Sequence, residues 1–477
     1  MKIKQYGRFI YFDGLSRDDI DKLKFLLTRE TKERKVEFLF YDKEKKQYYT
    51  YFGYVDYIKE NFDNIAEIKL NELEDIDVDY DKIRNLGEIT LRDYQVRVIE
   101  QCIKKKIGTV VSSVGSGKSY MMASLTNYLN KPTLVIVPTK QLVQQLYNSF
   151  KKVFDEDDLG VLYGDDKKIK KITIGTFSTI KNQIELNSNE MSMFEVVLYD
   201  ELQTTQLCET GRFIDDFYNN REYIIGFTGT LYRYDDINKS IEDFIALGLT
   251  GIPIAYIPIM YLVKKSYLTE PKIYMQNIYS VSKNIRSWHT VYRLYIEHNK
   301  YRNREIANFI KLFDKNDKVS LTLVNTKKHA QNIFNLLPDS LKEKTIIIYG
   351  NNSGMVWSWG NLKYTYINYE DVLSKVLNRE DWQHILATPV FSQGTDIPNL
   401  EGLILGFTGK AYTQNIQRIG RCLRLYDNKK YAFVIDFYDN THPYLLAHSK
   451  KRMKTYRAEG FDVVQDFEKF KNLIETS

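Results

Sequence analysis

Ser112-Ser113-Val114-Gly115-Ser116-Gly117-Lys118-Ser119 sets two glycines, an ammonium and a hydroxyl in an order that suits a bound polyphosphate. The segment follows an apolar run, Gly108 to Val111, and precedes a helical pattern, Tyr120 to Leu129. That is the strand-loop-helix context of a phosphate loop. Gly115 and Gly117 let the backbone curl until its N–H groups and the helix N-terminus face a phosphate. Lys118 then reaches the β- and γ-phosphates, and Ser119 offers its hydroxyl to Mg2+. Ser112 stands where the strict pattern has glycine. A Gly/Ser turn closing a buried strand would share the composition but not the Gly-Lys-Ser ending. The expected ATP-binding set is Ser113, Val114, Gly115, Ser116, Gly117, Lys118 and Ser119, with Mg2+ as the metal.

About eighty residues on, Tyr199-Asp200-Glu201-Leu202-Gln203 closes the apolar run Glu195 to Leu198. A carboxylate pair at the C-terminal end of a strand lies where a doubly wound sheet binds its ligand. Asp200 suits a Mg2+ ligand, and Glu201 suits the base that orients or activates water. The plainer reading, a helix N-cap followed by a first-turn acid, loses ground once a phosphate loop precedes the pair. The third element is Gln417-Arg418-Ile419-Gly420-Arg421-Cys422-Leu423-Arg424. Arg421 and Arg424 are three apart, so a helix puts them on one face, where two guanidinium groups can neutralise charge on a transferring γ-phosphoryl group. A solvated basic helix face is the alternative. Gly420 speaks against it, because an exposed helix gains nothing from glycine.

The elements that must position these residues are legible as periodicity. Short apolar runs at Gly108 to Val111, Thr133 to Val137, Lys171 to Gly175, Glu195 to Leu198 and Tyr223 to Phe227 alternate with amphipathic stretches. A second series runs Val319 to Val324, Thr345 to Tyr349, His384 to Ala387, Gly402 to Leu405 and Tyr431 to Ile435. Runs apolar on both faces, separated by helical patterns, predict buried parallel strands with crossover helices. The expected fold class is α/β, with two doubly wound parallel-sheet lobes over residues 85–250 and 251–477. Residues 1–84 mix short aromatic segments with a helical stretch near Asp18 to Thr31 and end in the acidic link Asn71 to Asp81. They predict a small α+β N-terminal domain.

In this order the motifs resemble those of superfamily 2 helicases. Leu91-Arg92-Asp93-Tyr94-Gln95 resembles the adenine-reading motif, with Gln95 as the base-recognising amide. Val137-Pro138-Thr139-Lys140 and Gly175-Thr176-Phe177-Ser178-Thr179 resemble the strand-gripping motifs. The resemblance thus implies DNA contacts at Thr139, Lys140, Thr176 and Phe177, joined by Thr388 in the second lobe. Gly226-Phe227-Thr228-Gly229-Thr230 resembles the motif coupling hydrolysis to motion, and Gln393-Gly394-Thr395-Asp396-Ile397 the one that brings Gly394 and Asp396 to the nucleotide. The family's RecA-like lobes, ATP and Mg2+ are implied, with catalytic roles for Lys118, Asp200, Glu201, Gln203, Gln417, Arg421 and Arg424. Gln203 stands where the family usually has histidine, so it can hydrogen-bond but carries no charge.

The resemblance spans roughly Gly87 to Phe461. Leu91 to Gln95, Leu268-Thr269-Glu270-Pro271, Tyr349-Gly350-Asn351 and the ending His448 to Gly460 are in addition similar to bacteriophage UvsW-type branch-migration helicases. That narrower likeness implies a monomeric motor on branched or fork-like DNA, tracking along a single strand, in phage recombination, repair or replication in the host cytoplasm. An RNA helicase, a restriction-system motor or a non-hydrolysing nucleic-acid-binding scaffold stay open as alternatives. Intact Lys118, Asp200, Glu201 and Arg421 argue against the scaffold.

Composition narrows the setting. Three widely spaced cysteines, Cys102, Cys208 and Cys422, form no CxxC pair, so neither a disulfide framework nor a zinc site is expected, and a reducing cytosolic compartment is. The start, Met1 to Gly7, lacks the apolar core of a secretory signal. Phe244 to Val263 is uncharged and long enough for a bilayer, but Gly248, Gly251, Pro253 and Pro258 interrupt it, which predicts buried turns and strands instead. Net charge is +6. Residues 1–84 carry 17 Lys/Arg against 19 Asp/Glu, so the excess of positive charge lies in the rest of the chain, as a polyanionic partner would require. Lys450, Lys451, Arg452, Lys454 and Arg457 crowd one acid-free stretch, and Lys32 to Lys46 is a second basic run; either suits phosphate contacts or a solvated surface.

One segment fits none of the motifs. Asn351 to Glu370 is longer than a usual strand-to-helix connection and holds Trp357 and Trp359, half of the four tryptophans, then Tyr364 and Tyr366. Alternation about Gly360-Asn361 predicts a β-hairpin. Its rings either stack on bases at a duplex junction or fold back to cover the lobe.

Overall fold

The computed structural model describes residues 1–30, 35–70, 76–205, 209–229, 241–251, 253–279, 285, 287–349, 355–360, 363–378, 381–388, 397–407 and 412–477. By contact density the chain divides into two compact units, residues 1–112 with 117–256, and residues 113–116 with 257–477.

The first unit opens with a five-stranded sheet of β1 (Lys2–Tyr6), β2 (Phe9–Asp13), β5 (Phe40–Asp42), β6 (Gln47–Tyr51) and β7 (Glu67–Lys69), in the order β5-β6-β2-β1-β7. Ser16 and Asp19 form a reciprocal capping box that starts a helix at Arg17, satisfying donors the first turn leaves unpaired. This helix ends at Leu26, short of the predicted Thr31. The strand tendency of the next residues wins, as β3 (Thr28–Glu30) pairs with β4 (Lys35–Glu37). A short hairpin, β8 (Asn85–Leu86) and β9 (Ile89–Thr90), then leads into the first lobe.

That lobe is an eight-stranded sheet of β10 (Ile107–Ser112), β11 (Thr133–Val137), β12 (Leu159–Tyr163), β13 (Asp166–Lys168), β14 (Ile172–Thr176), β15 (Val196–Asp200), β16 (Tyr223–Thr228) and β17 (Pro253–Ile257). Its order is β13-β12-β14-β11-β15-β16-β10-β17. All five predicted runs are strands here, joined in parallel from β14 to β10. The hairpin β12-β13 and strand β17 add three that periodicity did not reveal; Asp166–Lys168 is wholly exposed, so it carries no apolar signature.

The five-stranded sheet does not keep a core of its own. Ile3, Ile10, Phe12 and Tyr54 share one continuous buried cluster with Leu134, Ile136, Tyr199, Phe244 and Leu247 of the lobe. Tyr54 packs on Phe244 at 4.6 Å between centroids and donates its hydroxyl to the Phe244 carbonyl at 2.9 Å. This explains the uncharged run Phe244 to Val263. It forms part of helix Ile241–Thr250, then β17, then helix Ile259–Lys264, and its first third is buried under the N-terminal residues. Among the described residues no helix is long and apolar enough to cross a membrane.

The second unit is a nine-stranded sheet of β18 (Glu270–Tyr279), β19 (Val319–Leu323), β20 (Thr345–Tyr349), β21 (Met355–Gly360), β22 (Lys363–Asn368), β23 (His384–Ala387), β24 (Leu400–Leu405), β25 (Tyr431–Asn440) and β26 (Asp462–Val464). The order is β22-β21-β20-β23-β19-β24-β25-β18-β26, parallel from β20 to β26. Again the five predicted runs are strands. The expected hairpin also forms, with Trp357 opposite Tyr366 and Trp359 opposite Tyr364. It does not stand alone: β21 pairs antiparallel with β20, so the hairpin extends the sheet edge.

Candidate nucleotide site

The parallel register of the first lobe brings its motifs to one edge. Val137 pairs with Thr176, Ile136 with Tyr199, Asp200 with Phe227 and Val111 with Thr228. The phosphate loop, Thr139, Thr176, Asp200 and Thr228 therefore all leave the sheet at its carboxyl end, where doubly wound sheets bind ligands.

Gly115 and Gly117 have φ near +81° and +79°, conformations that a side chain disfavours, and Gly117 is the N-cap of helix Lys118–Leu129. The loop is thus built as its glycines predicted. Lys118 donates to the Ser112 carbonyl at 3.2 Å. Gly229 flanks the same ammonium, since a β-carbon on Gly229 would sit 3.5 Å from Lys118 Nζ. Gln95 is buried. Its Oε1 accepts from the Arg92 N–H at 2.8 Å, and its Nε2 lies against Gly117, 2.4 Å from where a β-carbon would be. The amide proposed for adenine and the phosphate loop therefore touch.

Asp200 is 8 % exposed. Burial first, then the Glu201 charge, push its carboxyl up to about 7 against the pull of Lys118. A buried carboxylate so penalised, with the Ser119 hydroxyl at the end of the phosphate loop, is a hard-oxygen donor set that suits a divalent cation. Glu201 adopts φ +50°, outside the conformations that non-glycine residues favour. Such strain costs about 1–3 kcal/mol and persists where the surroundings over-determine it. Gln203 lies in a short helix, Leu202–Thr205.

In the second unit, helix Tyr412–Cys422 carries Gln417, Arg418 and Arg421. Its end at Cys422 corrects the expectation for Arg424, which lies beyond the helix and does not share a helical face with Arg421. The Arg424 carbonyl instead accepts from Lys429 Nζ and Thr269 Oγ1. Gly420 is not exposed: a β-carbon there would sit 2.7 Å from Val114 Cβ, so close packing is what requires glycine. Gly394 and Asp396, like Thr230, lie outside the described residues.

Residues 88–255 match the family described as Type III restriction enzyme, res subunit. The DNA 3'-5' translocase XPB2 of Sulfurisphaera tokodaii is 23 % identical over 368 residues, 72 % of this chain and 80 % of that protein. Putative helicase 22 of Sulfolobus islandicus filamentous virus is 24 % identical over 94 % of this chain and 81 % of its own. These matches support a superfamily 2 helicase. Among solved structures, a fragment of a putative HsdR subunit of a type I restriction enzyme from Vibrio vulnificus superposes at TM-score 0.58 with 16 % identity, over 83 % of the helicase and 71 % of that chain. T4 UvsW aligns over 98 % of both chains at 19 % identity, with a TM-score of 0.45 that is too low to carry the narrower likeness.

The helicase relatives support an ATP-dependent enzyme. Its candidate strand-gripping residues divide. Thr139 caps helix Lys140–Phe150 by accepting from the Leu142 N–H at 3.3 Å, and Lys140 is exposed, with its ammonium 4.9 Å from the Tyr163 ring. Thr176 is buried with its hydroxyl 3.0 Å from Thr179 Oγ1, and Phe177 packs against the lobe's core. These two shape the edge more than they present groups to a strand. Thr388 follows β23, and its N–H donates to the Ile348 carbonyl at 3.2 Å.

Sequence reading missed a buried link behind the carboxylates. Arg8 of the N-terminal sheet pairs with Asp215 at 2.8 Å and donates to the Leu249 carbonyl at 2.6 Å, and Asp215 accepts from the Tyr199 hydroxyl at 3.3 Å. Tyr199 immediately precedes Asp200. The one available signal was a lone arginine beside an apolar strand, Phe9–Phe12, which tertiary contacts alone could interpret.

Proposed function

We propose that this helicase hydrolyses ATP to translocate on DNA and remodels branched structures such as forks and four-way junctions, in phage recombination, repair or replication. The observation that carries the reading is the convergence of Lys118, Asp200 and Glu201 at the carboxyl edge of one sheet, beside the exposed Lys140. In this reading residues 113–119 hold the triphosphate, and Ser119 and Asp200 hold Mg2+, which supplies charge neutralisation at the phosphates. Glu201 orients water and takes its proton. Gln203 hydrogen-bonds near the γ-phosphate, and Arg421, with Gln417, Gly394 and Asp396, takes the nucleotide roles that the family resemblance implies. Residues 1–84 select the branched substrate. The DNA action named for the Sulfurisphaera relative supports the choice of nucleic acid. The test is the ATPase rate with single-stranded DNA, duplex, a four-way junction and RNA. Strongest stimulation by the junction is expected; equal stimulation by RNA would remove DNA as the substrate.

Helix Pro443–Ala458 offers a phosphate-contact face. Lys450, Lys451, Lys454 and Arg457 are exposed, whereas Arg452 is buried, bonded through Nε to Asp436 at 2.7 Å. Arg452 is therefore a structural cation and leaves the basic run. Replacing Lys450, Lys454 and Arg457 together by alanine should weaken DNA binding at every sequence. The slope of log affinity against log salt should flatten by roughly 2–3, one counterion per lost phosphate contact. An unchanged slope would mean a merely solvated face.

The hairpin of β21 and β22 supports a second device, bases stacking on Trp357 and Trp359 at a strand junction, at ~1–3 kcal/mol per base. The double variant Trp357→Ala/Trp359→Ala should keep its melting temperature and DNA-stimulated ATPase yet unwind poorly. A drop of several degrees would assign the rings to packing, and unchanged unwinding would dismiss the wedge.

A further inference from the structure

The five-stranded N-terminal sheet is apolar on both faces, and the second face is covered only in part: Phe9, Phe40 and Tyr51 pack on the core, while Tyr11 and Tyr49 line a cleft. Strand alternation sends Ile3, Ile10 and Phe12 into the buried cluster, while Tyr11, Tyr49 and Phe40 form a row across three strands on the other face. Sheet faces that meet water are ordinarily polar. Here Tyr11 and Tyr49 stack at 5.2 Å, and Phe40 tilts against Tyr49 at 5.3 Å. These rings floor a cleft of about 760 Å³ whose wall includes Asp216, Asn219 and Asn220 from the end of the helix that carries Asp215.

The charge of this cleft runs against the rest of the molecule. Its lining holds three carboxylates, Glu37, Asp42 and Asp216, and one cation, Lys45, in a protein of net charge +6. A phosphodiester is repelled from such a place, whereas a cation over an aromatic face, beside a carboxylate, is attracted twice. The chain displays that chemistry itself: Lys45 Nζ lies 4.0 Å from the centroid of Tyr11 and 4.0 Å from Asp42 Oδ2. Lys45 is exposed at the rim, so it can be displaced. The amides of Asn219 and Asn220 add acceptors for a planar donor fork.

We propose that this cleft is a docking site for an arginine or lysine side chain presented by a basic segment of a partner protein. The bound side chain lies on Tyr11 and Tyr49, bonds Asp42 and Asp216, and pushes Lys45 aside. The site stands apart from the nucleotide and DNA reading, and its test does not depend on either.

The test is fluorescence anisotropy of a labelled octa-arginine peptide with the full chain. Micromolar binding is expected. Asp42→Asn with Asp216→Asn should weaken it at least tenfold and Tyr49→Leu several-fold, while Lys45→Ala should tighten it by vacating the rings. Tyr49→Phe, which keeps the ring, should bind as the wild type does and so separates ring contact from folding. Affinity indifferent to Tyr49→Leu and to the double asparagine variant would overturn the proposal. Displacement of the peptide by spermidine at equal concentration would replace the partner protein by a small polyamine and overturn it too. Loss of (dT)20 binding in Tyr49→Leu, with peptide binding unaffected, would instead make the sheet a nucleobase platform.

Discussion

Lys118→Ala is expected to lower ATP turnover on the order of 10³-fold or more, about 4 kcal/mol of transition-state stabilisation, while DNA binding stays largely intact. The reason is positional. Lys118 opens a helix whose N-cap glycine has a positive φ, and its ammonium rests on the Ser112 carbonyl, so it is held at the loop before any nucleotide arrives. Glu201→Gln should abolish turnover similarly, because the amide keeps the shape but cannot take a proton from water. Arg421→Ala should cost ~10³-fold if the guanidinium stabilises the transferring phosphoryl group. Steady-state kinetics with saturating DNA decide. Turnover within a few-fold of wild type for Lys118→Ala would sink the assignment, and a change confined to KM in Arg421→Ala would reduce that residue to nucleotide binding.

Arg8→Ala should destabilise the first unit by about 3–5 kcal/mol, because it strands the Asp215 carboxylate in a place with no water to solvate it. Both side chains of the pair are essentially inaccessible, at 0 % and 1 % exposure. Urea unfolding of the full chain measures the loss, and a change below about 1 kcal/mol would contradict it. Replacing both partners by apolar residues, Arg8→Met with Asp215→Leu, should recover most of the stability, since the cost comes from the orphaned charge. The same contacts change how the N-terminal residues can be studied. Deleting residues 1–84 would uncover Tyr199, Asp215 and Phe244 together, so the chain should lose solubility.

The sequence by itself determined the ten central strands, the phosphate loop and the carboxylate pair. Each is encoded locally: strands buried on both faces are apolar throughout, and a loop that must curl around phosphate needs glycine at fixed offsets. For that reason the spacing of Gly115, Gly117 and Lys118 is enough to predict the positive-φ turn and the helix start that the structure shows. The tertiary structure decided the rest, wherever meaning depends on what lies across space. Arg452 looks like a surface cation among lysines until Asp436 is found beside it. Arg424 looks helical until the helix stops at Cys422. The glycines and prolines of the uncharged Phe244 to Val263 already speak against a membrane span, but only the fold shows what covers its first turns, the N-terminal residues. Arg8 is one of four charged residues in the hairpin Lys2 to Asp13, and nothing near it in sequence points to Asp215, more than two hundred residues away. Periodicity and spacing report a residue's own element; burial, ion pairing and shared cores are properties of contacts, which only the folded chain supplies.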